Sequence, residues 1–471
     1  MTDTQHSTDY LIVGSGAVGM AFADTLLTET NANIIIVDRH HKPGGHWNVA
    51  YPFVTLHQPS AFYGVSSREL SKGQKDKVGL NKGLNELASG AEVSAYFDDV
   101  MREQFLPSGR VQYFPMCDYK GNGQFESMLT GAKHKVEVKN KTVDATYLKT
   151  TVPSTHTPSF CIDEGVNFMP LNDLTKLLAP PDGYVIVGGG KTGIDAVLFL
   201  LEKGVNPDDI TWIMPRDAWL LDRQNAQPTE EFFTSSLGAQ ANQVEAIVNS
   251  TSIDNMFENL ETAGVFLRID SAVWPQMFHG ATVSKMELSA LRRVKNIVRL
   301  GRVSHIKRDK IVLQKGEIKT SPGNLHVDCS ASAISNLTIK PVFEGNIITP
   351  QTVRSYQPVF SAAFIAHCEA SYPSNEIKNK LCHVVPLPNT NLDWLKLTVA
   401  FMRNQHVWGQ DKALKAWLLE NRLDGFSQLV RSVKPDDTEK LLILQRMREN
   451  GPAAMQKLQA YLAEAASITA A

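Results

Sequence analysis

Tyr10-Leu-Ile-Val-Gly-Ser-Gly-Ala-Val-Gly19 is the stretch on which the fold of this chain turns. The apolar run Tyr10 to Val13 suits a strand covered on both faces of a parallel sheet. Gly14-Ser15-Gly16-Ala17-Val18-Gly19 follows without a spacer, as GxGxxG. Gly14 serves the tight turn, Gly16 lets backbone approach a pyrophosphate, and Gly19 lets the next helix pack closely on the strand. Val18, Ala21, Phe22, Thr25 and Leu26 then share one helical face, and the helix N-terminus faces the anion. A second strand, Ile34 to Val37, ends in Asp38, nineteen residues after Gly19. A carboxylate there hydrogen-bonds ribose hydroxyls. Gly14, Ser15, Gly16, Gly19, Asp38 and the adjacent Arg39 are the candidate residues of a dinucleotide site.

The same grammar returns 174 residues downstream. Tyr184 to Val187 is a strand, Gly188-Gly189-Gly190-Lys191-Thr192-Gly193 a second GxGxxG, and Ile194, Val197, Leu198 and Leu201 line a helix that Gly204 can cap. Ile210 to Met214 is the next strand. A P-loop is excluded, because Val185 stands where its first glycine belongs. The spacing is too long for a solenoid and suits two dinucleotide domains.

At 471 residues, two to four domains are expected at roughly 100–200 residues each. Lys plus Arg is 47 and Asp plus Glu is 49, so no basic excess points to nucleic acid. No apolar run approaches a membrane span, and the polar Met1 to Asp9 does not read as a signal peptide. Five dispersed cysteines form no CxxC, against a dithiol redox centre or a disulfide scaffold. A cytoplasmic protein is expected. His40, His41 and His46 match no metal-ligand spacing, so no metal is expected.

Between the two units, Glu92 to Phe105 reads as a helix and Val136 to Lys139 as a strand. Pro153, Pro158, Pro170, Pro180 and Pro181 punctuate a crossing. Val283 to Arg299 reads as a helix, Ile311 to Leu313 and Leu325 to Cys329 as strands. Arg68 to Leu84 reads as a solvated loop. From Leu392 onward the pattern is helical, with breaks at Pro435 and Gly451-Pro452. The fold class is α/β, with two Rossmann-like dinucleotide-binding domains and a C-terminal helical region. The expected division is 1–180 and 323–385 for a discontinuous first domain, 181–322 for an inserted second, and 386–471 for the helices.

After Asp38 comes Gly44-Gly45-His46-Trp47. Here the chain resembles the two-dinucleotide flavoproteins, in particular the flavin-containing and Baeyer–Villiger monooxygenases. The resemblance continues at Tyr51-Pro52 and at His57-Gln58-Pro59-Ser60-Ala-Phe-Tyr63, similar to a TPSxxY stretch beside the flavin. GGGKTGIDA resembles the NADPH turn GxGxSxxDxA, with Thr192 in place of serine. Met214-Pro-Arg216-Asp-Ala-Trp219 looks like QRTPxW.

The resemblance implies FAD at the first turn and NADPH at the second. Gly45, Trp47, Ser60, Asp328 and Gln351 join the FAD residues. Gly188, Gly190, Lys191, Thr192, Gly193 and Arg216 hold NADPH, with Arg216 pairing a 2′-phosphate, Asp217 opposing its charge and Arg223 a further basic candidate. His57, whose type titrates near neutrality, is a candidate general base, with Gln58 beside it.

The implied activity is an NADPH-dependent monooxygenase, in which a C4a-(hydro)peroxyflavin oxygenates a small organic substrate with O2. Two alternatives stay open, a flavoprotein reductase or dehydrogenase without oxygen transfer and a non-catalytic flavin-fold protein. Departures from the family pattern are Met169 at a histidine position and Asp328-Cys-Ser-Ala-Ser332 at an ATG-type strand end. Phe360 to Ala366 is placed as a small-residue helix under the flavin. The C-terminal helices carry Trp394, Trp408 and Trp417 and are candidates for core packing, an oligomer interface or a lid.

Overall fold

The computed structural model describes residues 4–332 and 337–470, so Met1 to Asp3 of the polar N-terminus lie outside the described residues. The first strand, β1 (Thr4–Val13), runs into helix α1 (Ala17–Glu29), which returns to β2 (Ile34–Val37). β1 and β2 pair in parallel, with Tyr10 opposite Ile34 and Val13 opposite Val37. Strand 111–114 extends this sheet beyond β2, and strands 133–144 and 347–348 extend it beyond β1. Its inner strands are buried on both faces, as their unbroken aliphatic runs require.

The second sheet repeats the plan. β3 (Gly183–Val187), α2 (Lys191–Glu202) and β4 (Ile210–Ile213) form its core unit, all parallel, with Tyr184 opposite Ile210. Strand 324–328 lies on the other side of β3, with Val187 opposite Asp328, and strand 168–170 lies beyond it. Residues on both sides of 181–322 therefore belong to the second sheet. Prolines mark where the chain bends. Sheet membership is set by parallel pairing between distant strands, and proline spacing does not report it.

Two expected elements differ. Val283 to Arg299 is not one helix. Strand 277–283 ends at Ser284, whose side chain caps the seven-residue helix Lys285–Leu291 in a capping box with Glu287, and 297–298 then pairs with β4. Nor does Gly451-Pro452 break the chain. It lies within one 33-residue helix. Ala454, Leu458 and Tyr461, just beyond the proline, are buried against Ile247 and Trp394. That burial outweighs the single backbone hydrogen bond a proline forfeits.

Helix α3 (Pro358–Ser371) is buried nearly all round, and its Phe360 to Ala366 segment packs with Met20 to Leu26 of α1. α4 (Asn391–Trp408) follows. The tryptophans of this region face inward. Trp394 meets Phe257 and Phe266, Trp408 lies tilted against Phe364 at 4.4 Å, and Trp417 stacks on His367 at 4.5 Å. The fold also brings buried Cys382 against Cys368, a contact the dispersed sequence positions do not show. Among the described residues no helix is long and apolar enough to cross a membrane.

Candidate functional site

Gly14 sits at φ +100°, a backbone region that disfavours side chains. A Cβ on Gly19 would fall on the carbonyl oxygen of Gly14, and a Cβ on Gly45 would lie 2.9 Å from Gly16 Cα. Strand end, helix start and the 44–45 turn therefore meet as bare backbone, and any side chain would close the gap. Behind this turn Asp38 is buried. Its Oδ2 accepts from Ser15 N at 2.5 Å and Ser15 Oγ at 2.8 Å, and its Oδ1 from His40 N at 2.7 Å. Burial alone would raise the Asp38 pKa, but the hydrogen bonds from His40 and Ser15 outweigh it and hold it below the usual carboxylate value. Asp38 is anionic and fixes the glycine turn.

A cavity of about 910 Å3 opens from this turn. Asp38, Arg39 and Asp118 line it, with Arg39 exposed and 3.4 Å from Asp118. Gly45, His46 and Tyr63 also line it, as do His279, Ser355, Tyr356, Pro358 and the 385–388 segment. Volume, glycine cradle and fixed carboxylate fit a dinucleotide of FAD size. Trp47 does not line the space. It donates from Nε1 to the Tyr63 hydroxyl at 2.8 Å and so holds a residue that does. Burial drives the His46 pKa down to about 4.

At the second turn a Cβ on Gly193 would fall on the Gly188 carbonyl oxygen, while nothing lies within 4 Å of one on Gly190, the N-cap of α2. This helix start is open to an anion. Beside it Lys191 is ion-paired with Asp195, which also accepts from the Tyr51 hydroxyl at 2.6 Å. A phosphate must displace that carboxylate to reach Lys191. Thr192 follows on the first turn of α2.

Arg216 Nη2 donates to Asn389 Oδ1 at 2.9 Å. Asp217 does not oppose it. Its carboxylate is turned away into a two-pronged pair with Arg299, at 2.8 and 3.0 Å. Burial and the nearby positive charge of Arg302 both lower the Arg216 pKa. Arg216 and Arg302 thus form a cationic pair that the sequence did not signal, since no motif links positions so far apart.

Several expected residues have other work. Arg223 is fully buried, donating to His57 O at 3.0 Å and Asn81 Oδ1 at 3.0 Å and paired with Glu287 at 2.8 Å, so it is an internal clamp. Ser60 braces the backbone of Glu86 and Ala88. Gln351 braces both backbone groups of Lys340. Asp328 belongs to the second sheet and accepts from Ser330 N at 2.9 Å. Neither His57 nor Gln58 is among the residues lining the cavity.

His57 is buried beside Lys191 and Arg223, and burial together with those cations lowers its pKa to about 3. In the ligand-free protein these surroundings disfavour the protonated form of His57. Because the folded value is below the unfolded 6.5, the unfolded chain takes this proton first. Stability is full above about pH 6.5 and falls as pH drops toward 3. His57→Gln is expected to flatten the fall in unfolding midpoint between pH 7 and pH 5, by roughly 1–2 kcal/mol. An unchanged slope in urea titrations at the two pH values counts against this.

A family model described as an NAD(P)-binding Rossmann-like domain matches residues 12–52. Over 446 residues the chain is 47% identical to the uncharacterized protein Rv2000 of Mycobacterium tuberculosis (strain ATCC 25618 / H37Rv), covering 94% of this chain and 82% of that one. Among solved structures, the flavin-containing monooxygenase from Stenotrophomonas maltophilia aligns at a TM-score of 0.44 and 12% identity, over 78% of this chain and 97% of that one. The polycyclic ketone monooxygenase from the thermophilic fungus Thermothelomyces thermophila aligns at 0.46 and 12% identity, over 98% and 89%.

Proposed function

The chain belongs to one family with the mycobacterial protein Rv2000, and we propose that it is an FAD- and NADPH-dependent oxidoreductase acting as a monooxygenase on a small organic substrate. The observation that carries this is the pairing, in one chain, of two sheets, each with a parallel strand–helix–strand unit whose first strand ends in a bare glycine turn, the first opening on a cavity of dinucleotide size. When bound, FAD would supply two-electron chemistry between NADPH and O2, one oxygen atom going to the substrate and the other leaving as water.

The protein's own groups bind and orient. The backbone at Gly14–Gly19 takes the pyrophosphate, and Asp38 the adenosine ribose. The open start of α2 at Gly190 takes the NADPH pyrophosphate. Arg216, freed from Asp217, takes the 2′-phosphate with Arg302 beside it. His57, neutral at pH 7, lies buried beside Lys191 of the second turn and beside Arg223.

Purified protein loaded with FAD should oxidise NADPH and consume O2 when a substrate panel is supplied, with the product heavier by one oxygen by mass. NADPH oxidation that leaves every substrate unchanged assigns the reductase alternative. A protein that takes up no FAD removes both. Arg216→Ala should raise KM for NADPH at least tenfold and leave KM for NADH nearly unchanged. Equal effects on the two coenzymes sink the 2′-phosphate assignment.

A further inference from the structure

We propose that Arg422 is a positioning residue of the cofactor cavity: from the C-terminal region it fixes the backbone of residues 61–68 and, with it, the place of Tyr63 in the cavity lining. This rests on the FAD reading above and gives the C-terminal helices a part in that site.

The Arg422 guanidinium gathers four backbone carbonyls of one short segment. Nη1 donates to Ala61 O at 3.0 Å, Nε to Val65 O at 2.9 Å, and Nη2 to Tyr63 O and Arg68 O at 2.8 Å each. Carbonyls that converge on one point repel one another, and a planar fork of N–H groups holds them there. A lysine ammonium carries three hydrogens on a single atom and cannot serve all four. Sheet pairing does not replace the clamp. Residues 64–65 pair with 68–69 in a two-stranded ribbon that belongs to neither large sheet.

Tyr63 ties this segment to the first glycine turn. It lines the cavity, and its hydroxyl accepts from Trp47 Nε1 at 2.8 Å. Trp47 belongs to the turn whose Gly45 lies against Gly16. A shift of residue 63 therefore reaches both the cavity lining and the turn beside the pyrophosphate position.

The stretch 421–426 is fitted to the same segment at further points. Asn421 Nδ2 donates to Ser66 Oγ at 3.1 Å, and the Phe426 ring stacks on Phe62 with centroids 5.2 Å apart. Gly425 sits at φ +66°, and a Cβ on it would lie 2.2 Å from Phe62 Cε1, so glycine lets the two meet. Asp424 is paired with Arg354 at 2.5 Å, which anchors the stretch to the lead into α3. On its other side the segment is held by α1, where Asp24 Oδ2 accepts from Ser67 N at 3.0 Å.

The test is a double-mutant cycle read by FAD titration of the apo full-length chain, followed by flavin fluorescence. Arg422→Lys should weaken FAD about tenfold or more, and Tyr63→Ala several-fold. In the Tyr63→Ala background Arg422→Lys should change FAD affinity by less than about twofold, because the group it positions is gone. A contact that only stabilised the fold would lower the unfolding temperature of the apo protein and leave the affinity of the folded fraction unchanged. Thermal unfolding of each apo variant separates the two. If Arg422→Lys does not fold, Gly425→Ala, whose Cβ pushes the stretch off Phe62, takes its place in both backgrounds with the same expected results. A folded variant with wild-type FAD affinity, or one that loses the same factor with and without the Tyr63 side chain, overturns the proposal and leaves the functional reading standing. A wild type that takes up no FAD overturns the functional reading and this role with it.

Discussion

Gly19→Ala is expected to cost at least a hundredfold in FAD affinity, about 2.7 kcal/mol. The added Cβ would fall on the carbonyl oxygen of Gly14, and that oxygen belongs to backbone, which cannot swing aside as a flexible side chain would. To admit it, α1 must lift from the end of β1. The lift moves the N–H groups at the helix start away from the pyrophosphate and separates Gly16 from Gly45. Overpacking of this kind costs about 1–3 kcal/mol in stability as well. FAD titration and urea unfolding on the same sample separate the two losses. Gly451→Ala is the matched control. It lies inside the C-terminal helix with nothing within 4 Å of its would-be Cβ, and it should gain up to about 1 kcal/mol. Retention of wild-type FAD affinity by Gly19→Ala would refute the close-packed turn.

Asp424→Ala is expected to destabilise the chain by roughly 3–5 kcal/mol. Asp424 is 1% exposed and its partner Arg354 is nearly as buried. Removing the carboxylate leaves a guanidinium in an apolar setting, over the Phe360 ring at 3.7 Å and with its Nε already unpaired. The damage should not stop at stability. Arg354 immediately precedes the Ser355–Tyr356 turn in the cavity wall, so FAD affinity should fall too. Chemical unfolding of the apo protein reads the first effect, and flavin titration of the fraction still folded reads the second. The double replacement Arg354→Met with Asp424→Leu should recover most of the lost stability, because it removes both charges. If the single variant unfolds within 1 kcal/mol of wild type, the pair is not holding the turn.

Both dinucleotide units were legible from residues alone. A GxGxxG turn is a local device. Strand, glycines, helix and terminal acid lie within about thirty residues, the length of one βαβ unit, and each glycine answers a constraint from its own neighbours. Gly14, Gly19, Gly188 and Gly193 stand where that logic puts them. Asp38 was legible for the same reason, although its role in holding Ser15 N and His40 N was not. The burial of His57 was not legible, because residue type says nothing of burial. A histidine titrates near neutrality in water, and His57 is not in water. Ser60, Gln351 and Arg223 were named on the resemblance, and what only the structure adds is that each satisfies backbone or side-chain groups within the fold.

What could be read along the chain was the chemistry that repeats within one strand–turn–helix unit, where a residue's partners are its sequence neighbours: two nucleotide turns, their helices, and the acid after the first. The rest of the cavity lining was beyond that reach. His279 comes from a strand in the second half of the chain, Ser355 and Tyr356 from the lead into α3, and further lining from residues 385–388. No period or spacing connects them, because they meet only after two sheets and the C-terminal helices have packed. The tertiary contacts also chose which way Asp217 turned, which charge lies near Arg216 and which amide His279 meets. Each of these depends on a partner more than seventy residues away.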